Sequence, residues 1–460
     1  MRFIETLKNM WTIEELRKRI LFTLLLIAIY RLGSFIVLPG ADVVALKAQL
    51  DANSDPNDLL GLINLFTGGA FNNASIMALG IMPYITASII VQLLGFAVPY
   101  FQKLQNTEGE SGRKKLTQIT RALTIAITLV QGAGYLAYLK SNDGMSSAVN
   151  ETVFWASGII ILSTGTMFAM WLGERITDRG IGNGVSLLIT VGIIVGLPTA
   201  LGYEFVSRAG GGASGGLLLF VLEMVAFFFV TLLTVMVVTG VRKIPLQFAK
   251  RAVGRGDSVA PQATARDYIP LKVNASGVMP IIFAQALMLL PVSLAGFGAG
   301  NAAANGIVAS FSDFKSLPYN IVYFLLVVIF TYVYTALVVN PGQYTEYLRR
   351  QNAFIPGVRG GAETEEYIDS ITSRITLPGS IILGLIAILP AIVAVFLGVN
   401  DAFAIFFGGT SLIIMVGVVL DTLQQIESYL LMRKYDGLVK DGKIEGRGGG
   451  SRMQTLGADF

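Results

Sequence analysis

Ten times between residues 20 and 425 the chain returns to a mostly apolar run of about 20 residues, the length an α-helix needs to cross a bilayer's hydrocarbon core. The runs lie near 20–38, 75–98, 119–139, 152–173, 184–203, 217–240, 274–295, 319–339, 375–397 and 403–425. No other pattern limits the fold so strongly, and it predicts an all-α membrane domain of ten transmembrane helices. Pro39, Pro198 and the glycine-rich 208–216 are read as exits or loops. Composition agrees. Hydrophobic residues make up 53% of the 460 and charged residues only 14%, where a soluble chain carries roughly a quarter charged. The N-terminal apolar run lacks a small-residue cleavage site, so it is read as a first span behind an interfacial segment, 1–19, and not as a signal peptide.

Lys and Arg orient the helices. With the N-terminus inside, 29 of them fall before the first span, in the inner loops or in the tail, and four (Lys47, Lys140, Arg208, Lys315) fall outside, with Arg31 inside span one. Both termini are therefore expected in the cytoplasm. Two inner loops, 242–272 and 351–374, exceed what a connector needs. Lys250, Arg251 and Arg255 lie beyond the distance useful for membrane anchoring, on a segment with Pro and Gly turns, and suit rRNA phosphates or an acidic protein face.

The chain has neither cysteine nor histidine. That excludes disulfides, thiolate zinc, thiol catalysis and the commonest general base, and with them a Ser/His intramembrane protease. "GLVKDGKI" (437–444) approaches a P-loop but ends in Ile444, where magnesium needs Ser or Thr. "RGIGNG" and "GESGRKK" read as tight turns that feed helices. No enzyme, cofactor site or metal site is expected.

Pro83 in the second span and Pro280 in the seventh, the second of the other half, suggest two inverted five-helix halves, a pattern shared with secondary transporters. A kink is expected at Pro83. A transporter, however, needs midplane groups to hold solute or ions. Glu223 lies near the outer surface, where it can meet water, Asp421 near the inner one, and Arg31 can snorkel. Thr86, Ser88, Gln92, Gln131, Asn274, Ser276 and Gln285 read singly as helix–helix glue. A small-solute transporter remains the alternative, and a purely structural scaffold a third.

Six blocks, "FNNASIMALGIMPYITASIIVQLL", "EGESGRKKLTQITR", "TGTMFAMWLGERITDRGIGNGVSLLI", "PLKVNASGVMPIIFAQALMLLP", "YTALVVNPGQYTEYLRRQNAFIPGVRGG" and "FGGTSLIIMVGVVLDTLQQIESYLL", occur in order between residues 71 and 431, within a likeness that runs from about residue 11 to residue 435. Together they resemble the SecY family, channel subunits of the bacterial protein translocase. The resemblance implies two inverted halves around a central hourglass pore. It implies a ring of apolar side chains at the waist: Ile81, Ile85, Val185, Ile189, Ile282 and Ile414. Val185 is smaller than the isoleucine the family leads one to expect, which would leave the seal slightly looser. Such a dry constriction gates by dewetting and offers a passing peptide no fixed hydrogen-bond partner.

Further expectations rest on the same resemblance. The segment 59–71 would be a short plug helix, with Leu62, Ile63, Leu65 and Phe66 apolar and Gly68 and Gly69 as its hinge. Spans two and seven would form a lateral gate involving Pro83, Thr86, Gln92, Asn274 and Leu290, through which hydrophobic segments reach lipid. Arg359 in "IPGVRGG" would meet the SecA motor ATPase, and loop 242–272 the ribosome, with SecE-type and SecG-type subunits alongside. The implied protein is a passive channel in a bacterial inner membrane that takes unfolded secretory and membrane polypeptides. The halves would run 20–207 and 208–435, with basic-side loops at about 242–272 and 340–374. The Gly-rich tail 436–460 and the outer loop 296–318 match nothing in the family.

Overall fold

The computed structural model describes residues 13–52, 64, 67–106, 109–146, 149–209, 216–248, 268–295 and 313–440. Each of the ten runs yields a helix: α1 (Glu14–Gly33), α3 (Met82–Ala97), α5 (Gly109–Ser141), α6 (Glu151–Arg179), α7 (Gly184–Ala209), α8 (Gly216–Thr239), α9 (Met279–Ala295), α10 (Leu317–Val338), α12 (Ala362–Leu397) and α14 (Gly409–Lys440). Seven helices of the described residues are long and apolar enough to cross a membrane, while α3 and α9 hold shorter apolar helices. Between these elements lie α2 (Val43–Ala52), α4 (Pro99–Asn106), α11 (Pro341–Arg350) and the short α13 (Asp401–Ala404).

Local chemistry sets several ends. Asn150 caps α6, its side chain accepting from the Thr152 N–H at 3.2 Å. Along α5, Thr120, Thr124 and Thr128 each donate to the carbonyl four residues back, so hydroxyls in an apolar environment stay bonded within their own helix. Small residues let helices close on one another. A methyl on Gly158 would meet the Leu136 side chain, and one on Gly165 would collide with the Ile76 carbonyl.

Three expectations change. Residues 76–81 and 273–278 are turns, so the second and seventh spans are helical only from Met82 and Met279. Gly80 at φ 54° and Gly277 at φ 65° make those turns, a conformation that costs a glycine little. Pro83 and Pro280 are consequently the second residues of their helices. A missing N–H is harmless there, and the kink expected at Pro83 is instead a helix start. Pro198, read as an exit, lies inside α7, which continues to Ala209.

One apolar core joins the halves, with buried residues from α1, α3, α6, α7, α9, α10, α12 and α14. A second cluster packs the segment after α1 (Leu38, Leu46, Phe71) onto α5 and α6 through Tyr135, Leu136 and Phe154. The side rich in Lys and Arg, the basic side, carries a small β structure that apolar periodicity does not forecast. Strand β1 (Val241–Pro245) pairs antiparallel with β3 (Tyr268–Lys272), Ile244 opposite Ile269. Strand β2 (Gln247–Phe248) pairs with β4 (Ala353–Phe354), joining the two long loops. Ile244, Leu246 and Leu271 from this β structure pack with Leu348 of α11 and Ile368 of α12 in a core of their own.

Candidate functional site

The six residues assigned to the waist come together in the main core. Ile81, Ile85, Ile189 and Ile414, from α3 with its preceding turn, α7 and α14, are 4%, 7%, 4% and 2% exposed. Val185 and Ile282, half-buried, pack against the same cluster. Ile81 and Ile85 are joined through the backbone, the Ile85 N–H donating to the Ile81 carbonyl at 3.1 Å. A methyl at Gly173 of α6 would lie 3.2 Å from Val185 Cγ2 and 3.4 Å from Ile81 Cδ1. The bare glycine therefore lets α3, α6 and α7 converge where these branched side chains sit.

Of the plug residues, Leu62, Ile63, Leu65 and Phe66 lie outside the described residues. The segment that follows is well tied. Gly68 (φ 62°) and Gly69 (φ 90°) take left-handed conformations, and the Gly69 N–H donates to the Asn64 carbonyl at 2.9 Å. Arg31, at the end of α1, donates from Nη1 to the Gly68 carbonyl at 2.9 Å. On the other flank, a methyl at Gly68 would reach 3.0 Å from the Gly192 Cα of α7. Gly68 is thus held between a guanidinium and a helix backbone. Arg31 does not simply snorkel.

Helices α3 and α9 touch, as the gate assignment requires, but their polar side chains bond within their own segments. Thr86 Oγ1 donates to the Met82 carbonyl at 3.1 Å, and Gln92 Nε2 to Ser88 Oγ at 3.1 Å. Asn274 Nδ2 donates to the Gly277 carbonyl at 3.0 Å and accepts from Ser276 Oγ. Asn274 therefore stabilises the turn that starts α9. Leu290 lies on α9. Among the basic-loop residues, Lys250, Arg251 and Arg255 lie outside the described residues. Arg359 is exposed on the turn between β4 and α12, its carbonyl accepting from Thr364 Oγ1 at 2.7 Å.

Two features escape residue-by-residue reading. One is a buried ion cluster on the far side. Arg208, expected in an outer loop, ends α7 at 4% exposure beside Glu204 at 1% and Glu223 at 0%. Its Nε donates to Glu204 Oε1 at 2.8 Å, and its Nη2 to Glu223 Oε1 at 2.7 Å and the Gly398 carbonyl at 2.9 Å. The Asn400 N–H completes it, donating to Glu204 Oε2 at 3.0 Å. Glu223, expected to meet water, instead ties α8 to α7 and to the link after α12. Buried charge survives only in such pairing. The other feature is a repeat: "ALGIMPYI" (78–85) and "ASGVMPII" (275–282) open the half-length helices of the two halves in one register. It makes Ile85 and Ile282 equivalents, and pairs Ile81 with Val278.

A family model described as SecY matches residues 75–423. The chain is similar to the protein translocase subunit SecY of Chlamydia trachomatis, 37% identical with 96% of this chain and 99% of that protein covered. The same subunit from Streptomyces coelicolor is 41% identical over 93% of this chain and 97% of its own. Among solved structures, a protein-conducting channel superposes with a TM-score of 0.60 at 18% identity, covering 92% of this chain and 93% of that one. Sec61 from the canine ribosome–channel complex of the endoplasmic reticulum gives 0.58 at 18%, with the same coverage. At that identity these two speak for the fold alone.

Proposed function

Since the chain belongs to the SecY family, and so is a protein-conducting channel subunit and not an enzyme, we propose that its apolar waist, glycine-hinged plug and paired half-helices perform conduction as follows. At rest, Ile81, Ile85, Val185, Ile189, Ile282 and Ile414 close the path to ions, because water leaves a narrow, branched, apolar ring. An unfolded polypeptide parts the ring and meets no fixed donor or acceptor, which suits cargo of any sequence. Leu62, Ile63, Leu65 and Phe66 form the plug, and Gly68 and Gly69 let it swing away. Helices α3 and α9 part to release hydrophobic segments into lipid. Pro83 lets α3 begin at the ring, Asn274 sets the turn into α9, and Thr86, Gln92 and Leu290 line the seam.

The observation that carries this reading is the meeting of four nearly buried isoleucines from both halves in one apolar cluster, at the start of a broken helix. Replacing Ile81, Ile85 and Ile282 together by Asn tests it. Reconstituted channels are expected to leak ions at rest, and unchanged resting conductance in a folded protein removes the ring assignment.

Partners and placement belong to the same proposal. The membrane is a bacterial inner membrane with both termini in the cytoplasm, supported by the Lys/Arg asymmetry. The loops joined by β2 and β4 face a SecA-type motor and the ribosome, with Lys250, Arg251, Arg255 and Arg359 as contacts. SecE-type and SecG-type subunits complete the complex. Sec61 in a ribosome–channel complex and the Ssh1 complex bound to the yeast ribosome share this fold, and the basic residues of loop 242–272 are what suit ribosome docking here. Arg359→Glu is expected to impair motor-driven secretion more than ribosome-driven insertion, and equal losses would count against a motor contact.

A further inference from the structure

Beyond the waist, a cavity of about 40 Å³ lies between α9, α10, the Pro390 stretch of α12 and the start of α14. Its wall is mixed. Phe314 and Ile405 are apolar, while Gln285, Tyr319, Tyr323 and Thr410 are polar, with Tyr319 close beside Gln285. Gln285 and Tyr323 are 4% and 3% exposed, and Gln285 Nε2 and Tyr323 Oη lack hydrogen-bond partners among the described residues. Buried polar atoms in folded proteins nearly always find a partner in protein or ordered water.

We propose that this cavity is a hydration site, holding a small cluster of ordered water that bridges Gln285 Nε2 on α9 to Tyr323 Oη on α10. The volume admits about three molecules at the 10–15 Å³ each requires, and the wall supplies the two to four polar partners that a buried water uses. A lipid tail in the same space would leave both the amide and the hydroxyl unpaired. Gln285 lies one helical turn beyond Ile281 and Ile282, on the helix assigned to the gate. On that reading, the water joins α9 to its own half through bonds that re-form as the helix shifts, where a direct side-chain bond would have to break.

The complete complex in lipid nanodiscs, imaged by electron cryo-microscopy at a resolution that shows water, tests the site. Discrete density is expected within about 2.7–3.2 Å of both Gln285 Nε2 and Tyr323 Oη. No density there, or a continuous tail-like feature, overturns the proposal. A double-mutant cycle with Gln285→Leu and Tyr323→Phe gives a second reading by thermal unfolding. Both single variants are expected to lower the melting temperature, and the double variant no further than the larger single, because the two residues share one ligand. Additive shifts would overturn the shared site. Both readouts are independent of conduction, so their failure would leave the channel reading standing.

Discussion

The guanidinium of Arg31 donates to the carbonyl of Gly68 across 37 residues of chain at 2.9 Å. The end of the first helix thereby holds Gly68, the first of the two glycines proposed as the plug's hinge, against α7. A charge-assisted bond of this kind contributes about 1.5–3 kcal/mol when sheltered, and the partial exposure of Arg31 reduces that. Arg31→Leu is therefore expected to raise resting ion conductance in planar bilayers by about 5- to 30-fold, corresponding to about 1–2 kcal/mol. Wild-type leakage from a folded variant would show that Arg31 does not hold the segment closed.

The cluster of Arg208, Glu204 and Glu223 calls for a stability test. Arg208→Met leaves two buried carboxylates without their cation, a change expected to cost about 3–5 kcal/mol and to lower the melting temperature of the purified complex. Combining it with Glu204→Gln and Glu223→Leu removes the stranded charges and should recover most of the loss. If the single variant melts like wild type, the cluster does not hold α7, α8 and the link after α12 together.

Packing at the glycines predicts a different kind of damage. Gly165→Ala places a methyl onto the Ile76 carbonyl oxygen, and backbone cannot rotate out of the way as a side chain can. Overpacking of this sort costs about 1–3 kcal/mol or more. Gly134→Ala, with nothing within 4 Å of the added methyl, serves as control on α5 and should melt within a degree or so of wild type.

The gate assignment can be tested by cross-linking because the chain has no cysteine of its own. Cysteines introduced at Thr86 and Leu290 are expected to oxidise to an intramolecular disulfide and to stop export until reduced. A folded double variant that neither cross-links nor loses transport would separate α3 and α9 from the exit path.

What could be read from sequence follows the range of the forces involved. A transmembrane helix announces itself locally, so all ten runs became helices, and the Lys/Arg bias marked one face as basic. The starts of α3 and α9 were harder to see, since an apolar turn such as Gly80–Ile81 has the same hydropathy as the helix that follows. The aligned "ALGIMPYI" and "ASGVMPII" held that information, with glycine before methionine–proline in each half. Arg208, Glu204 and Glu223 could not be paired from sequence, because three elements must converge before their charges make sense. The β pairing of the two long loops was hidden for a similar reason: β2 and β4 are two residues each and lie over a hundred residues apart. The residues proposed for the waist were picked out by family motifs, since an isoleucine at a pore and one in an ordinary core look alike in isolation.

The pairing of β2 with β4 has a mechanical consequence. Among the described residues, the stretches 247–248 and 353–354 of two loops that leave different helices are hydrogen-bonded to each other, so a displacement of one draws the other with it. After β3 the next residue, Val273, donates its N–H to the Gly240 carbonyl at 2.8 Å, six residues before Met279, the first residue of α9. Force applied to β1 or β3 therefore reaches the turn at the head of that helix along a short, hydrogen-bonded path.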